Sequence, residues 1–298
     1  MDEKMLNAPI MDDFLITTSR RDMDRASAVI FHLPSLSDGD CMWGAGMKRA
    51  GQLWVSWSTE PTPGRKWEKD PRYLNLFDIN ASYRLDSDLP IPYFYPKYFG
   101  LLRQEPIPKK GFVSAFIPHG PDLQSRGDYV KELMGLIHVD PYGRALQNIS
   151  LPGDQDAATR ERVMAGYKFC LTFEKAVAED HVTDQFYHPL IAGSVPVYSG
   201  APNVADFAPG DNCYIDVNDF PSPADLANYL MELNGDDRRF AAFLEWKTRP
   251  YKLSFNRKAI IVADHPLVRL CHILRTRLGY SKKLRPDQAD TASFYGNV

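Results

Sequence analysis

The stretch from Tyr167 to Asn203, YKFCLTFEKAVAEDHVTDQFYHPLIAGSVPVYSGAPN, leaves this chain few folds to choose from. Tyr167 to Phe173 is a short apolar run rich in aromatics, the size of one buried strand. A polar loop follows from Glu174 to Val182, and Thr183 then stands where a helix N-cap is expected. Ala192-Gly193 stops that helix, and Val195-Pro196-Val197-Tyr198 begins a second strand. Strand, helix and strand in this order make a βαβ unit with a charged loop at the C-terminal end of its first strand. In open α/β sheets that end of the strands binds ligands. A helix N-terminus there presents free N–H groups and a positive dipole end, which suit a phosphate.

The same alternation runs through the rest of the chain. Phe14 to Thr18, Ala28 to Leu33, Leu53 to Trp57 and Leu76 to Tyr83 read as strands of a first half. Leu89 to Pro108 carries Pro90, Pro92, Pro96, Pro106 and Pro108, which disfavour helix and sheet interiors, so this stretch reads as an interdomain linker. The second half begins at Gly111, with strands over Phe112–Ile117, Val139–Tyr142 and Cys213–Val217. Ser125 reads as a helix cap with Asp128 three residues on. Val130, Leu133, Met134 and Ile137 then form one apolar face. Ser222 reads as a second cap, with Pro223 at the first helical position and a stripe of Leu226, Tyr229, Leu230 and Leu233. The expected fold class is α/β with parallel, doubly wound sheets. The expected division is residues 1–105, 106–255 and a helical extension over 256–298.

Composition removes several function classes. The chain has 298 residues and a net charge of −3, so nucleic acid is not an expected partner. It contains no run of 18 apolar residues, and its acidic start, MDEKMLNAPIMDDF, lacks the basic and apolar regions of a signal peptide. Cys41, Cys170, Cys213 and Cys271 are widely spaced and form no CxxC pair, which favours a reducing compartment; Cys170 reads as plain core.

The stretch from Tyr167 onward also resembles the signature of the α-1,3-fucosyltransferases, glycosyltransferase family 10. Their pattern is close to YKF-x-L-x-FEN, then a TEK triplet, then AG-x-VPV-x-x-G-x-P. Tyr167, Lys168, Phe169, Leu171, Phe173, Glu174, Val182, Thr183, Phe186, Ala192, Gly193, Val195, Pro196, Val197, Gly200 and Pro202 stand at matching places. Lys175 sits where the family has Asn, and Asp184 and Gln185 replace the Glu and Lys of the triplet. Asp219 to Pro223, Ser82 to Asp88, Val139 to Arg144 and Trp54 to Pro61 resemble further family segments, so the likeness covers about Ala50 to Arg249. Phe116-Ile117-Pro118-His119 departs from a polar pair that the family has there.

The resemblance implies the GT-B architecture: two Rossmann-like domains facing a central cleft, the first on the acceptor side and the second holding GDP-fucose. It implies an inverting transfer of fucose to an N-acetylglucosamine-containing glycan in α-1,3 linkage. No cofactor and no obligatory metal are implied; GDP-fucose is a substrate, and an oligosaccharide or glycoconjugate is the acceptor. The departures keep two other readings open, a non-catalytic nucleotide-sugar or glycan-binding relative and a transferase using another GDP-sugar. Family members with a Golgi anchor carry it at the N-terminus. Without one, the expectation is a soluble bacterial-type enzyme, cytoplasmic or on a membrane surface, or a piece of an anchored Golgi enzyme.

Such a transfer needs a carboxylate base for the acceptor hydroxyl and donors or cations for the departing diphosphate. Glu60 follows the strand Leu53–Trp57 and matches the family glutamate that looks like the base; its plain alternative is a solvated loop residue. Arg144, just past a strand end, suits a bidentate grip on phosphate, or a surface salt bridge. Lys168 reads equally as a donor contact or as a strand-end lysine reaching for solvent. Glu174 and Asp184 are candidates for ribose or fucose hydroxyls, Asp184 also for the helix dipole alone. Thr183 and Gln185 complete the donor-side motif, with Gln185 neutral where the family has a cation and Lys175 a candidate to replace it. Tyr83 and Arg84 read as cleft residues, or Arg84 as an ion-pair partner of Asp86 or Asp88. Asp86-Ser87-Asp88 reads as solvated or capping carboxylates rather than a metal-binding DxD, and His181 and His188 lack zinc-site spacing. The basic stretch Leu267–Arg285 reads as a helix packed on the first domain or as a peripheral membrane contact.

Overall fold

The computed structural model describes residues 14–36, 47–61, 71–116, 123–142, 149–152 and 157–279. Two parallel sheets carry the chain. The first contains β1 (Ala28–His32), β2 (Leu53–Ser58), β3 (Ile79–Ser82) and β4 (Leu89–Pro90) in that spatial order. The second contains β5 (Gly111–Ala115), β6 (Val139–Pro141), β7 (Tyr167–Phe173), β8 (Val195–Ser199) and β9 (Ile215–Asp216), ordered β6-β5-β7-β8-β9. Every strand pair is parallel. The helices are α1 (Pro71–Leu74), α2 (Tyr98–Leu101), α3 (Leu123–Leu136), α4 (Ala157–Ala165), α5 (Asp184–Ala192), α6 (Pro223–Gly235), α7 (Asp237–Ala242), α8 (Leu253–Ile261) and α9 (Pro266–Arg277).

One face of the second sheet is closed by α3 and α6. Val113, Phe169, Leu171, Val195 and Val197 pack there against Val130, Leu133, Leu226, Leu230 and Leu233, all buried. The other face is closed by α5 and by the proline-rich stretch. Phe94, Tyr98 and Leu102 are buried with Phe186, Tyr187 and Leu190. The stretch from Leu89 to Pro108 is therefore no free linker. Its prolines stop regular structure, but its aromatics bury enough apolar surface to lock it down.

The N-caps behave as their chemistry dictates. Thr183 Oγ1 accepts from the Gln185 N–H, and Ser222 accepts from the Asp225 N–H with Pro223 next in line. Gly193 ends α5 with φ 71°, and a Cβ there would lie 2.8 Å from Pro106 Cβ. We expect Gly193→Ala to lower stability by about 1–2 kcal/mol in urea denaturation, the usual cost of a left-handed residue bearing a side chain.

Three expectations change. Phe14 to Thr18 is irregular and not a strand. Ser125 lies inside α3, which starts at Leu123. The strand expected over Cys213–Val217 shrinks to two residues, because β9 pairs only at its register with Val197 and Tyr198. Of the two readings of the basic C-terminal stretch, the part described takes the packed one. In α9, Leu270 and Leu274 are buried against Val55, Ile79, Ala81 and Leu89, so the apolar stripe is already covered. Its arginines are also tied to the first sheet, Arg269 donating to Pro90 O at 2.7 Å and Arg277 to Asp78 O at 2.6 Å and Asp88 at 3.0 Å. Among the described residues no helix is long and apolar enough to cross a membrane.

Candidate active site

The site forms at the C-terminal ends of β2 and β7. Glu174 follows β7 directly, and its N–H donates to Ser199 O at 2.8 Å. Its side chain is buried, with Oε1 accepting from the Thr183 N–H at 2.7 Å and Oε2 from Thr183 Oγ1 at 2.8 Å. These two contacts hold the loop between Glu174 and Thr183 closed. Glu174 is thus a clasp on the N-cap residue and does not face a ligand hydroxyl, a correction of its expected role. Gly200 is required beside it, since a Cβ there would lie 2.5 Å from Glu174 Cγ.

The loop so clasped reaches the first sheet. Asp180 takes φ 65° and is held on both sides by Asn203, with Asp180 N donating to Oδ1 and Nδ2 donating to Asp180 Oδ1, each at 2.9 Å. Its other carboxylate oxygen accepts from the Leu85 N–H at 3.0 Å. Arg84 donates to Asp86 at 2.7 Å and to Glu179 at 3.2 Å, so it bridges the two halves as an ion pair. Next in sequence, His181 is buried edge-on between Tyr83, 5.2 Å away, and Tyr93, 5.7 Å away. Tyr83 is buried too and acts as a wall. Burial pushes the His181 imidazole down to about 4; Glu60 opposes that shift and Lys175 adds to it.

Tyr93 connects the two sides. Its hydroxyl donates to Thr59 O at 3.0 Å, just past the end of β2. Burial raises its phenol to about 12, with the carboxylates of Glu60 and Asp184 adding to the rise. Glu60 itself is exposed, and its N–H donates to Ser58 Oγ at 3.2 Å. A carboxylate from the first sheet and one from α5 therefore both act on one phenol. Asp184 opens α5, and the His188 imidazole, with Nε2 3.6 Å from Asp184 Oδ2, holds its carboxyl below the usual range as an ion-pair partner. Tyr95 and Tyr98 lie near enough to feel its charge.

Thr183, Asp184 and Gln185 thus start α5 beside the Glu174 clasp, and Glu60 and Lys175 lie close enough to His181 for their charges to act on its ring, with Tyr83 and Arg84 along the same seam. Lys168 is not among them. It lies at the start of β7, about 20 Å of strand away from Glu174. There it donates to Asn234 O at 2.9 Å and to Asp237 at 2.8 Å, joining the end of α6 to α7. Arg144 lies outside the described residues. Asp86 and Asp88 are engaged by Arg84 and Arg277. Tyr93, Tyr95 and Glu161 were missed by sequence reasoning. The density of tyrosines among the prolines signalled the first two, and Glu161 carried no local signal.

Comparison with known proteins gives the family. A family model described as "Glycosyltransferase family 10 (fucosyltransferase) C-term" matches residues 107–286, and one described as "Fucosyltransferase, N-terminal" matches residues 8–94. The "GDP-fucose protein O-fucosyltransferase 3" of Canis lupus familiaris is 36% identical over 193 residues, 59% of this chain and 40% of that protein. The Xenopus tropicalis protein of the same name is 37% identical over 191 residues, 58% of this chain and 41% of its own. The chain thus spans about 40% of the length of these relatives. A solved structure titled "Crystal Structure of alpha1,3-Fucosyltransferase" shares the fold with a TM-score of 0.56 at 15% identity, covering 86% of this chain and 79% of that one. The same title "with GDP-fucose" matches with a TM-score of 0.54 at 17% identity, covering 77% and 76%. With two parallel α/β sheets of the GT-B type and both family models matched, this chain belongs to glycosyltransferase family 10, the fucosyltransferases.

Proposed function

We propose that this protein transfers fucose from GDP-fucose to an acceptor hydroxyl with inversion. The observation that carries the reading is the match of both fucosyltransferase family models, with Glu60 just past β2 and Asp184 at the start of α5 both acting on the Tyr93 phenol. Glu60 is exposed at a strand end, open to an incoming hydroxyl. It takes the hydroxyl proton as the acceptor oxygen bonds to the sugar's anomeric carbon. The bond from that carbon to the diphosphate breaks, and GDP leaves with the electron pair. The N-terminus of α5 offers its first-turn N–H groups to the diphosphate, and Arg144 and Lys175 supply the cations. Gln185 contributes no charge there. Asp184 accepts from a hydroxyl of the sugar.

The relatives of higher identity support one acceptor class. They are named protein O-fucosyltransferases, which favours a hydroxyl on a protein. The α-1,3 linkage to N-acetylglucosamine is the second reading, supported by the motif resemblance and the titles of the solved structures. Products made with a folded protein acceptor and with an N-acetylglucosamine oligosaccharide distinguish them.

Thermal unfolding with GDP-fucose, GDP-mannose and UDP-galactose tests the donor. At about 100 times its dissociation constant a ligand stabilises by about 2.7 kcal/mol, a clear rise in Tm. We expect that rise with GDP-fucose. A larger one with GDP-mannose points to another GDP-sugar, and none with any of the three overturns the proposal. Binding without transfer to either acceptor class marks a non-catalytic relative.

A further inference from the structure

Beside the cleft, two half-buried side chains have no part in these steps. Glu161 on α4 and His188 on α5 stand behind Asp184 in a line. His188 Nδ1 lies 2.5 Å from Glu161 Oε1, and Nε2 lies 3.6 Å from Asp184 Oδ2. The side chains are 24% exposed at Glu161, 12% at His188 and 48% at Asp184, so the line opens to solvent mainly at Asp184. The Tyr98 ring, 6.3 Å away, meets the imidazole edge-on.

An imidazole with a carboxylate at each nitrogen serves both by donating twice, which only the charged ring can do. Two flanking carboxylates make that charge tolerable under burial. An Asp at the start of a helix tends to turn back onto the free N–H groups of the first turn. Here the bond to its own backbone N–H is kept, and His188, itself paired with Glu161 on α4, adds an ion-pair partner to one oxygen of Asp184. The charge of that carboxylate is felt at Tyr93 and Tyr95. The position matters because Asp is one methylene shorter than the family's Glu, with less reach and less tolerance of misdirection.

We propose that Glu161 and His188 form a relay that aims the Asp184 carboxylate at the sugar of the bound nucleotide-sugar, making His188 a positioning residue for the fucosyl group. This rests on the fucosyl-transfer reading above. The relay touches the sugar end of the donor and not the nucleotide, so its loss separates GDP-fucose from GDP. It also titrates. Burial opposes the charged ring, but the Asp184 carboxylate and the hydrogen bond to Glu161 outweigh it and hold His188 above its usual 6.5. The groups facing it are Glu161 from α4, Asp184 on its own helix and Tyr98 from α2, with Arg160 of α4 acting on Asp184. The aimed state is therefore complete below pH about 6.5 and is lost as pH rises through the raised value.

The test is calorimetric binding of GDP-fucose and GDP to the full chain from pH about 5.5 to about 8.5, comparing the unmodified protein with His188→Gln, Glu161→Gln and Asp184→Asn. Losing one charge-assisted hydrogen bond weakens binding by about tenfold. We expect that loss for GDP-fucose in His188→Gln, with GDP changed by less than about twofold. We expect the unmodified protein's preference for GDP-fucose over GDP to fall at high pH, and a flat preference in His188→Gln. Adding His188→Gln to Asp184→Asn should cost nothing further. Glu161→Gln guards against misfolding, since Glu161 is more exposed than His188; it should shift the pH midpoint downward while GDP binding persists. Equal losses of GDP and GDP-fucose, or an unchanged pH profile in His188→Gln, overturn the relay. If the unmodified protein binds GDP-fucose and both variants match it, the relay alone falls. If the unmodified protein does not bind GDP-fucose, the fucosyl-transfer reading falls and the relay with it.

Discussion

Glu60→Gln lowers the rate of fucosyl transfer by about 10²–10⁴-fold and leaves GDP-fucose binding nearly intact. The amide keeps the shape of the side chain and loses its ability to take a proton. Glu60 is exposed at the end of β2, and its own described contact is the N–H donated to Ser58, so the fold does not rest on its carboxylate. Tm should therefore stay close to that of the unmodified protein. The measurement is initial rates at saturating GDP-fucose, with donor affinity taken separately by calorimetry. A variant that retains more than about one tenth of the rate removes Glu60 from the base role.

The second large effect concerns stability in acid. His181 is buried, and its pKa falls from an ordinary 6.5 to about 4 by desolvation. A depressed histidine binds its proton more weakly in the folded state than in the unfolded chain. Its penalty is absent above pH about 6.5 and grows as pH falls toward 4. A shift of that size removes about 2–3 kcal/mol of stability between pH about 7 and pH about 4.5. Urea denaturation at both pH values reads the difference. In His181→Gln the difference should shrink by that amount, whatever the variant's stability at neutral pH. An unchanged difference would sink this assignment. The effect bears on the site, because the same ring is wedged between Tyr83 and Tyr93 and so ties the loop after β7 to the segment that follows β4.

Much of the second sheet was legible in advance. The β7–α5–β8 unit follows from local chemistry: an apolar run, a Thr cap, a Gly at positive φ and a second apolar run. The Ser222-Pro223 start of α6 was legible for the same reason. The short strand β9 and the irregular Phe14–Thr18 stretch were not, since apolar runs of that length pair only where a neighbouring strand is in register. The proline-rich stretch misled in another way. Prolines report the loss of regular structure, but they are silent on burial, and Phe94, Tyr98 and Leu102 are core.

The site divides along the same line. Glu60, Thr183, Asp184 and Gln185 were found from strand ends, a cap and a motif, all properties of a few consecutive residues. Lys168 shares that motif yet sits at the far end of its strand, because a motif names residues without saying which end of a sheet each one occupies. Glu174 matches the family pattern and is turned inward as a clasp. Sequence alone determined the parallel α/β plan, the caps and the family, because periodicity and local hydrogen bonding act over a few residues. Only the tertiary structure decided which charges meet. Tyr93 with Glu60 and Asp184, Arg84 with Glu179, and His188 with Glu161 are pairings across long stretches of chain, and they depend on how the sheets and helices pack.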